Sequence, residues 1–182
     1  MTNKGGVAVT LDIMQVIKKR VSVRRFRPDP VPRELIMQLL EAAIWAPNAG
    51  NIQPWQFYVV TREDCRRCLA TAALRQEFIA SAPLTIVVCA EPERSARHYG
   101  DRGRYLYCLQ DTAAAAQNIL LAATALGLGT CWVGAFDEEQ VRGCLNLPAH
   151  LRPVAIIPVG YPADETTRRT QRRSVEQVCH FV

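Results

Sequence analysis

Hydrophobic positions recur with a helical period along some stretches of this chain and crowd into short runs along others, a pattern that predicts helices and strands in one mixed fold. Leu11, Ile13, Met14, Val16 and Ile17 share a helical stripe behind Thr10 or Asp12 as cap, and Lys18-Lys19-Arg20 supplies cations at the negative helix end. Arg20-Val21-Ser22-Val23-Arg24-Arg25-Phe26 then alternates, with Arg20, Ser22 and Arg24 on one side of an extended piece and Val21 and Val23 on the other. After the turn-rich residues 27–32, a helix opening on Pro32 and Glu34 carries Leu35, Ile36, Leu39, Leu40, Ala43 and Ile44 on its core face. A strand at 56–60 and a short polar helix bearing Cys65 and Cys68 follow. Residues 84–90 are apolar almost throughout and read as a strand buried on both faces.

The second half repeats the mixture. Residues 91–103 are charged and glycine-bearing, as in a surface excursion or lid. The longest helix is predicted over 104–126, and beyond Gln110-Asp111 it is apolar almost all round, which suits a core helix or one lying in a subunit interface. Gln117, Asn118 and Thr124 inside it, and Gly127 and Gly129 after it, argue against a membrane span. A third strand is expected at 131–136, a short helix from Asp137, and a last strand at 154–161 whose Pro158 marks an edge or bulged position. Residues 1–9 form a weakly patterned leader, and the tail from 162 is polar and rich in arginine.

Composition narrows the classes. A chain of 182 residues, 49% hydrophobic, builds one core and reads as one domain, 1–182. The net charge of +5 comes from 19 arginines against three lysines, scattered or paired rather than gathered with aromatics, which favours discrete anion contacts over a nucleic-acid surface. Seven cysteines without a secretory leader fit a reduced cytoplasmic setting. Cys65-Arg66-Arg67-Cys68 lacks a second pair or a nearby histidine for zinc, so its cysteines read as two helix-surface or half-buried thiols, and no metal site is expected.

Chemistry concentrates in two stretches. Ala46-Pro47-Asn48-Ala49-Gly50-Asn51-Ile52-Gln53-Pro54-Trp55 is a stiff loop between a helix and a strand. Asn48, Asn51 and Gln53 offer neutral donors and acceptors, with no carboxylate or lysine, which suits a flat heterocycle with imide-like edges, such as the flavin pyrimidine, better than a metal. The structural alternative is a polar connection with a tight turn. In the alternating segment, Arg20 can clamp a phosphomonoester and Ser22 can add a hydroxyl donor. Arg24 is then a cation suited to the electron-rich edge of a reduced ring. Solubility of an edge strand would also explain these arginines. Small residues at the end of the 131–136 run let a backbone N–H of Gly134 or Ala135 approach a ring, and the bland alternative is a glycine bend. Arg75 and Gln76, ahead of the 84–90 strand, are further candidates for cofactor contact.

Four stretches, in order, resemble motifs of the nitroreductase family of FMN-dependent oxidoreductases, over about residues 12–181. Residues 20–26 are similar to its R-R-S-x-R-x-F/Y, with Val21 departing from the second basic residue. Residues 46–55 are similar to A-P-S-x-x-N-x-Q-P-W, with Asn48 for the commoner serine. Residues 127–136 resemble G-L-G-x-x-W-x-G-A-F, and the C-terminal part resembles G-Y-P…R-x-P-L-E-E-V-V-H, with Ser174 in place of proline. The resemblance implies an α+β fold with a mostly antiparallel central sheet surrounded by helices, as an intertwined homodimer with two FMN sites at its interface. It implies Arg20, Ser22, Arg24, Pro47, Asn48, Asn51, Gln53, Gly134, Ala135 and either Arg172 or Arg173 as FMN-binding residues, the last reaching the phosphate. The implied reaction carries hydride from NAD(P)H through flavin N5 to a nitroaromatic, quinone or similar acceptor, with no catalytic side chain. Related flavin reactions (reductive dehalogenation, dehydrogenation, flavin destruction) and a non-catalytic flavin-binding role are the alternatives.

Overall fold

The computed structural model describes residues 12–164 and 170–182. The leader at 1–9, Thr10 and Leu11 at the first helix, and Arg168 and Arg169 of the tail lie outside the described residues. The sheet is organised around β2 (Leu84–Ala90), every residue of which is buried. It pairs antiparallel with β1 (Trp55–Val60) on one side and β4 (Arg152–Gly160) on the other, and β3 (Gly129–Thr130) follows on β4, in the order β1-β2-β4-β3. Phe57 stands opposite Val88, and Val88 opposite Ala155. All three ladders are antiparallel, as the resemblance implied.

Because side chains alternate along a strand, a strand buried throughout needs a helical layer on each face. Leu84, Ile86 and Val88, with Ala155, Ile157 and Val159 of β4, meet Leu39 and Ala43 of α2 (Arg33–Ile44) and Ala115, Ala116, Ile119 and Ala123 of α6 (Cys108–Ala125). Val87, Cys89 and Ile156 point the other way. They meet Leu69 and Ala73 around α3 (Glu63–Ala72), Ile79 of α4 (Phe78–Ser81) and Val141 of α7 (Glu138–Leu145). Two polar side chains of α6 find partners in the first layer: Asn118 Nδ2 donates to Ala42 O at 2.9 Å, and the Thr124 hydroxyl donates to Leu120 O at 2.9 Å.

Several expectations shift. The charged 91–103 stretch is mostly helix: α5 (Pro92–Arg102), with Pro92 in its first turn, breaks at Gly100 (φ 55°) and passes through a π turn, Gly103–Tyr107, into α6, so the long helix begins at 108 rather than 104. Its charges lie on exposed faces, and Arg104 reaches Glu93 at 2.7 Å across that turn. The third strand is Gly129–Thr130, not 131–136; beyond it only Val133 rejoins the ladder, exchanging bonds of 2.9 and 3.0 Å with Ile156. Two residues on from Ile156, Pro158 faces the same side without an N–H, and the ladder lapses opposite Cys131. Pro158 therefore sits in an interior strand, and the bulge of β4 is against β2, where Val88 faces Ala155 and Cys89 faces Pro153. Cys68 is not a free thiol; it is disulfide-bonded to Cys144, tying α3 to α7.

Helix α1 (Ile13–Lys19) is capped by Asp12, whose Oδ1 accepts the Met14 N–H at 3.3 Å. Among the described residues of its apolar stripe only Val16 is buried, while Ile13, Met14 and Ile17 are 60%, 51% and 45% exposed. Among the described residues, no helix is long and apolar enough to cross a membrane.

The central packing is testable. Ile157 is fully buried between β2 and the α2–α6 layer. Ile157→Ala is expected to lower the unfolding free energy by about 2–5 kcal/mol, measured by urea denaturation at matched protein concentration.

Candidate active site

The connection from α2 to β1 is held in an uncommon shape. Gly50, Asn51 and Gln53 have φ of 56°, 54° and 53°. Left-handed backbone at non-glycine residues is costly, so surrounding groups must hold it. Asn48 closes the loop on itself: its Oδ1 accepts the Gln53 N–H at 2.8 Å and its Nδ2 donates to Ala46 O at 3.2 Å. Helix α5 braces the outside, with Arg94 Nε donating to Ile52 O at 2.7 Å and the Glu91 N–H to Pro54 O at 2.9 Å. A β-carbon at Gly50 would stand 2.5 Å from the Tyr99 hydroxyl, so any larger residue there would have to displace the end of that ring. From α6, Asp111 Oδ1 accepts the Ala49 N–H at 3.1 Å. Pro47, Asn51 and Gln53 remain exposed.

Asp111 is 6% exposed, and its Oδ2 has no hydrogen-bond partner among the described residues. Burial pushes its carboxyl pKa above the ordinary value, and the Ala49 N–H partly offsets this. Asp111 is the single carboxylate of α6, but nothing local to it points to residue 49.

A second group gathers at the start of the chain. The Val23 N–H donates to Thr130 O at 2.8 Å and Ser22 bridges Thr130, which docks the 20–26 segment along β3. Val23 is buried, and Arg20, Ser22 and Arg24 line a cavity of about 490 Å³ with Ile17, Lys18, Val21, Thr170 and Arg172. Among the described residues, no carboxylate lines it. Arg172 joins the comb, whereas Arg173 donates from Nη2 to Gln177 O at 2.7 Å and holds the tail turn at Val175–Gln177. Lys18 and Thr170 were not singled out from the sequence. The Arg24 guanidinium lies 5.7 Å from the centre of the Phe78 ring.

A third group is the wall formed where α3 meets the approach to α7. Leu74 and Arg75 both have φ of 59°, and this turn lets Gln76 Nε2 donate to Ala73 O at 2.9 Å and Ala135 O at 3.3 Å. The Asp137 N–H donates to Ala72 O at 2.9 Å. Gly134 and Ala135 are exposed on this wall. None of Pro47, Asn48, Asn51 and Gln53 lines the arginine cavity, so the sequence-derived residues fall into separate surfaces of one chain.

The sequence pattern of the Nitroreductase family matches residues 17–76 and 70–161. The chain belongs to the nitroreductase family. A relative described as a putative NADH dehydrogenase/NAD(P)H nitroreductase, from Methanothermobacter thermautotrophicus, is 33% identical over 168 residues, covering 90% of this chain and 84% of that protein. A 5,6-dimethylbenzimidazole synthase of Rhodospirillum rubrum is 32% identical over 168 residues, covering 80% of each. The crystal structure of a putative NADH dehydrogenase/NAD(P)H nitroreductase from Parabacteroides distasonis superposes with a TM-score of 0.81 at 32% identity, over 92% of this chain and 96% of that one. In this nitroreductase-family chain the arginine comb, the braced loop and the Gly134 wall thus sit on a fold shared with solved relatives.

The Asp111 strut has a signed pH dependence. The native state holds this proton more tightly than the unfolded chain, so the group's contribution is complete below the ordinary carboxylate pKa and is lost as pH rises through the raised one. Asp111→Asn keeps an acceptor for Ala49 N–H without the charge. Its stability relative to the unsubstituted protein is expected to improve between about pH 4 and about pH 7, read from urea midpoints at both pH values.

Proposed function

We propose that this oxidoreductase of the nitroreductase family binds FMN and carries hydride from NAD(P)H to a nitroaromatic, quinone or similar small acceptor. The observation that carries the reading is the donor set of the 490 Å³ cavity: Lys18, Arg20, Ser22, Arg24, Thr170 and Arg172, with no carboxylate among the described residues. That chemistry fits a phosphomonoester attached to an electron-accepting ring. Arg20, Ser22 and Arg172 would hold the phosphate, and Arg24 would sit beside the pyrimidine edge and favour negative charge there. A backbone N–H of Gly134 or Ala135 would face N5, at two residues that themselves carry no large side chain to obstruct an approaching donor. Bound FMN would supply the two-electron chemistry. No acid or base from the protein is required, and among the described residues no group of three His, Cys, Asp or Glu stands together as a metal site.

The loop at 47–53 would act in trans. Pro47, Asn48, Asn51 and Gln53 would complete the pocket of a second copy, in a homodimer that covers Ile13, Met14 and Ile17 of α1. The exposed Trp45 beside the loop, and Val175, Val178 and the 98% exposed Phe181 of the tail, supply further apolar surface for that contact. Similarity to the 5,6-dimethylbenzimidazole synthase supports a second reading, in which the same flavin frame serves a different reaction.

Purified protein is expected to be yellow, with absorbance near ~450 nm that bleaches anaerobically on adding NADH or NADPH. Arg20→Ala is expected to weaken FMN binding about ten- to a hundred-fold by calorimetry on apoprotein. A colourless protein with no affinity for FMN would remove the cofactor reading, and an unchanged affinity would remove Arg20 from the phosphate site.

A further inference from the structure

The C-x-x-C stretch of α3 is left unused by the flavin reading, and the structure gives it a partner that sequence spacing concealed. Cys68 bonds to Cys144 of α7, 76 residues later, with the two Cα atoms 5.7 Å apart. Cys68 lies on the exposed side of α3 and Cys144 is half-buried, so a small dithiol in solution can reach the bond. Three of the remaining cysteines are removed from such chemistry by position: Cys89, Cys108 and Cys131 are buried, and burial raises each thiol, Cys89 to about 12.

We infer that Cys68 and Cys144 form a dithiol-reducible staple that fixes the wall carrying Gly134 and Ala135. Two hydrogen bonds already join the same pair of segments. Ala72, the last residue of α3, accepts the Asp137 N–H at 2.9 Å, and Gln76, just past α3, donates to Ala135 O at 3.3 Å. Asp137 in turn caps α7, its Oδ1 accepting the Gln140 N–H at 2.9 Å. The disulfide is the covalent member of this set, placed one turn back from the wall in α3 and at the end of α7 away from it. With it closed, α3 and α7 cannot separate, and the short 131–137 segment between β3 and α7 is held at its α7 end. Reduction breaks the S–S bond with two electrons and two protons from the dithiol, leaves two cysteine thiols, and converts the dithiol to its own disulfide. The hydrogen bonds then hold the wall alone.

The wall's role toward a cofactor rests on the FMN reading, whereas the staple itself does not, and the experiment separates them. Alkylation of the denatured, non-reduced protein followed by mass spectrometry is expected to modify five cysteines, and seven after dithiothreitol. Amide hydrogen exchange is then compared for the oxidised protein, the dithiothreitol-reduced protein and Cys144→Ser, which guards against a variant that fails to fold. Residues 72–76 and 134–137 are expected to exchange about tenfold faster in both opened forms, with α2, α6 and β2 unchanged. Cys65→Ser is expected to match the oxidised protein. In the same samples FMN should bind roughly tenfold more weakly to the opened forms. Seven alkylated cysteines before reduction, or unchanged exchange after it, would overturn the staple. Faster exchange with unchanged FMN affinity would overturn the wall's part in holding FMN. Oxidised protein that binds no FMN would instead overturn the cofactor reading, with the exchange measurement still deciding the staple.

Discussion

The structure depends on a single demand made by β2: seven consecutive residues that expose no side chain to water. Such a strand must be paired along both edges and covered on both faces, or its buried amides and apolar side chains go unsatisfied. β1 and β4 meet the first requirement; α2 with α6, and α3 with α4 and α7, meet the second. The small side chains of α6 follow from this, because Ala115, Ala116 and Ala123 let the helix lie close upon the sheet. The candidate site then has no room inside the core. It is assembled from what the layers leave at their margins: the segment leaving α1, the connection between α2 and β1, and the crossing from β3 to α7.

Those margins are rigid for different reasons. The 20–26 segment borrows backbone partners from β3. The 47–54 loop keeps left-handed residues because α5 and α6 brace it from outside, through Arg94, Tyr99 and Asp111. The Gly134 wall is fastened to α3 by backbone, side-chain and disulfide contacts. Preorganisation of this kind is what a cofactor pocket requires, since groups held before binding lose little freedom on binding. One chain nevertheless presents the arginine comb and the loop on separate surfaces, while much of α1 and the tail leaves apolar side chains uncovered. The proposed second copy would account for both facts at once.

Much of this was legible in the residues. The run at 84–90 coincides with β2 because a continuous apolar stretch bounded by proline and charge has few other solutions, and the stripe at Leu39 and Ala43 does face the core. The comb at Arg20, Ser22 and Arg24 followed from alternation alone and does line one cavity. Local pattern failed where the deciding group lay far away. α5 was hidden by its charges, which cover an exposed helix as readily as a loop. β3 was displaced because Pro158, on another strand, withholds a ladder bond. The Cys68–Cys144 bond and the Asp111 strut join residues 76 and 62 positions apart, separations that no local motif encodes. Asn48 was singled out by its chemistry as a ligand group, and the structure adds a role that the sequence did not show, closing its own loop.

The central claim is that a working site is divided between two copies of the chain, with Arg24 contributed by one and Asn51 by the other. Arg24→Glu and Asn51→Asp proteins, each impaired as a homodimer, would form on co-expression a heterodimer with one site carrying both lesions and one carrying neither. Purification through two different affinity tags isolates that species, and its flavin content is read by absorbance. A divided site predicts recovery of about half the normal flavin per dimer, and intact heterodimers that recover none would place both residues in one subunit's site and contradict the account.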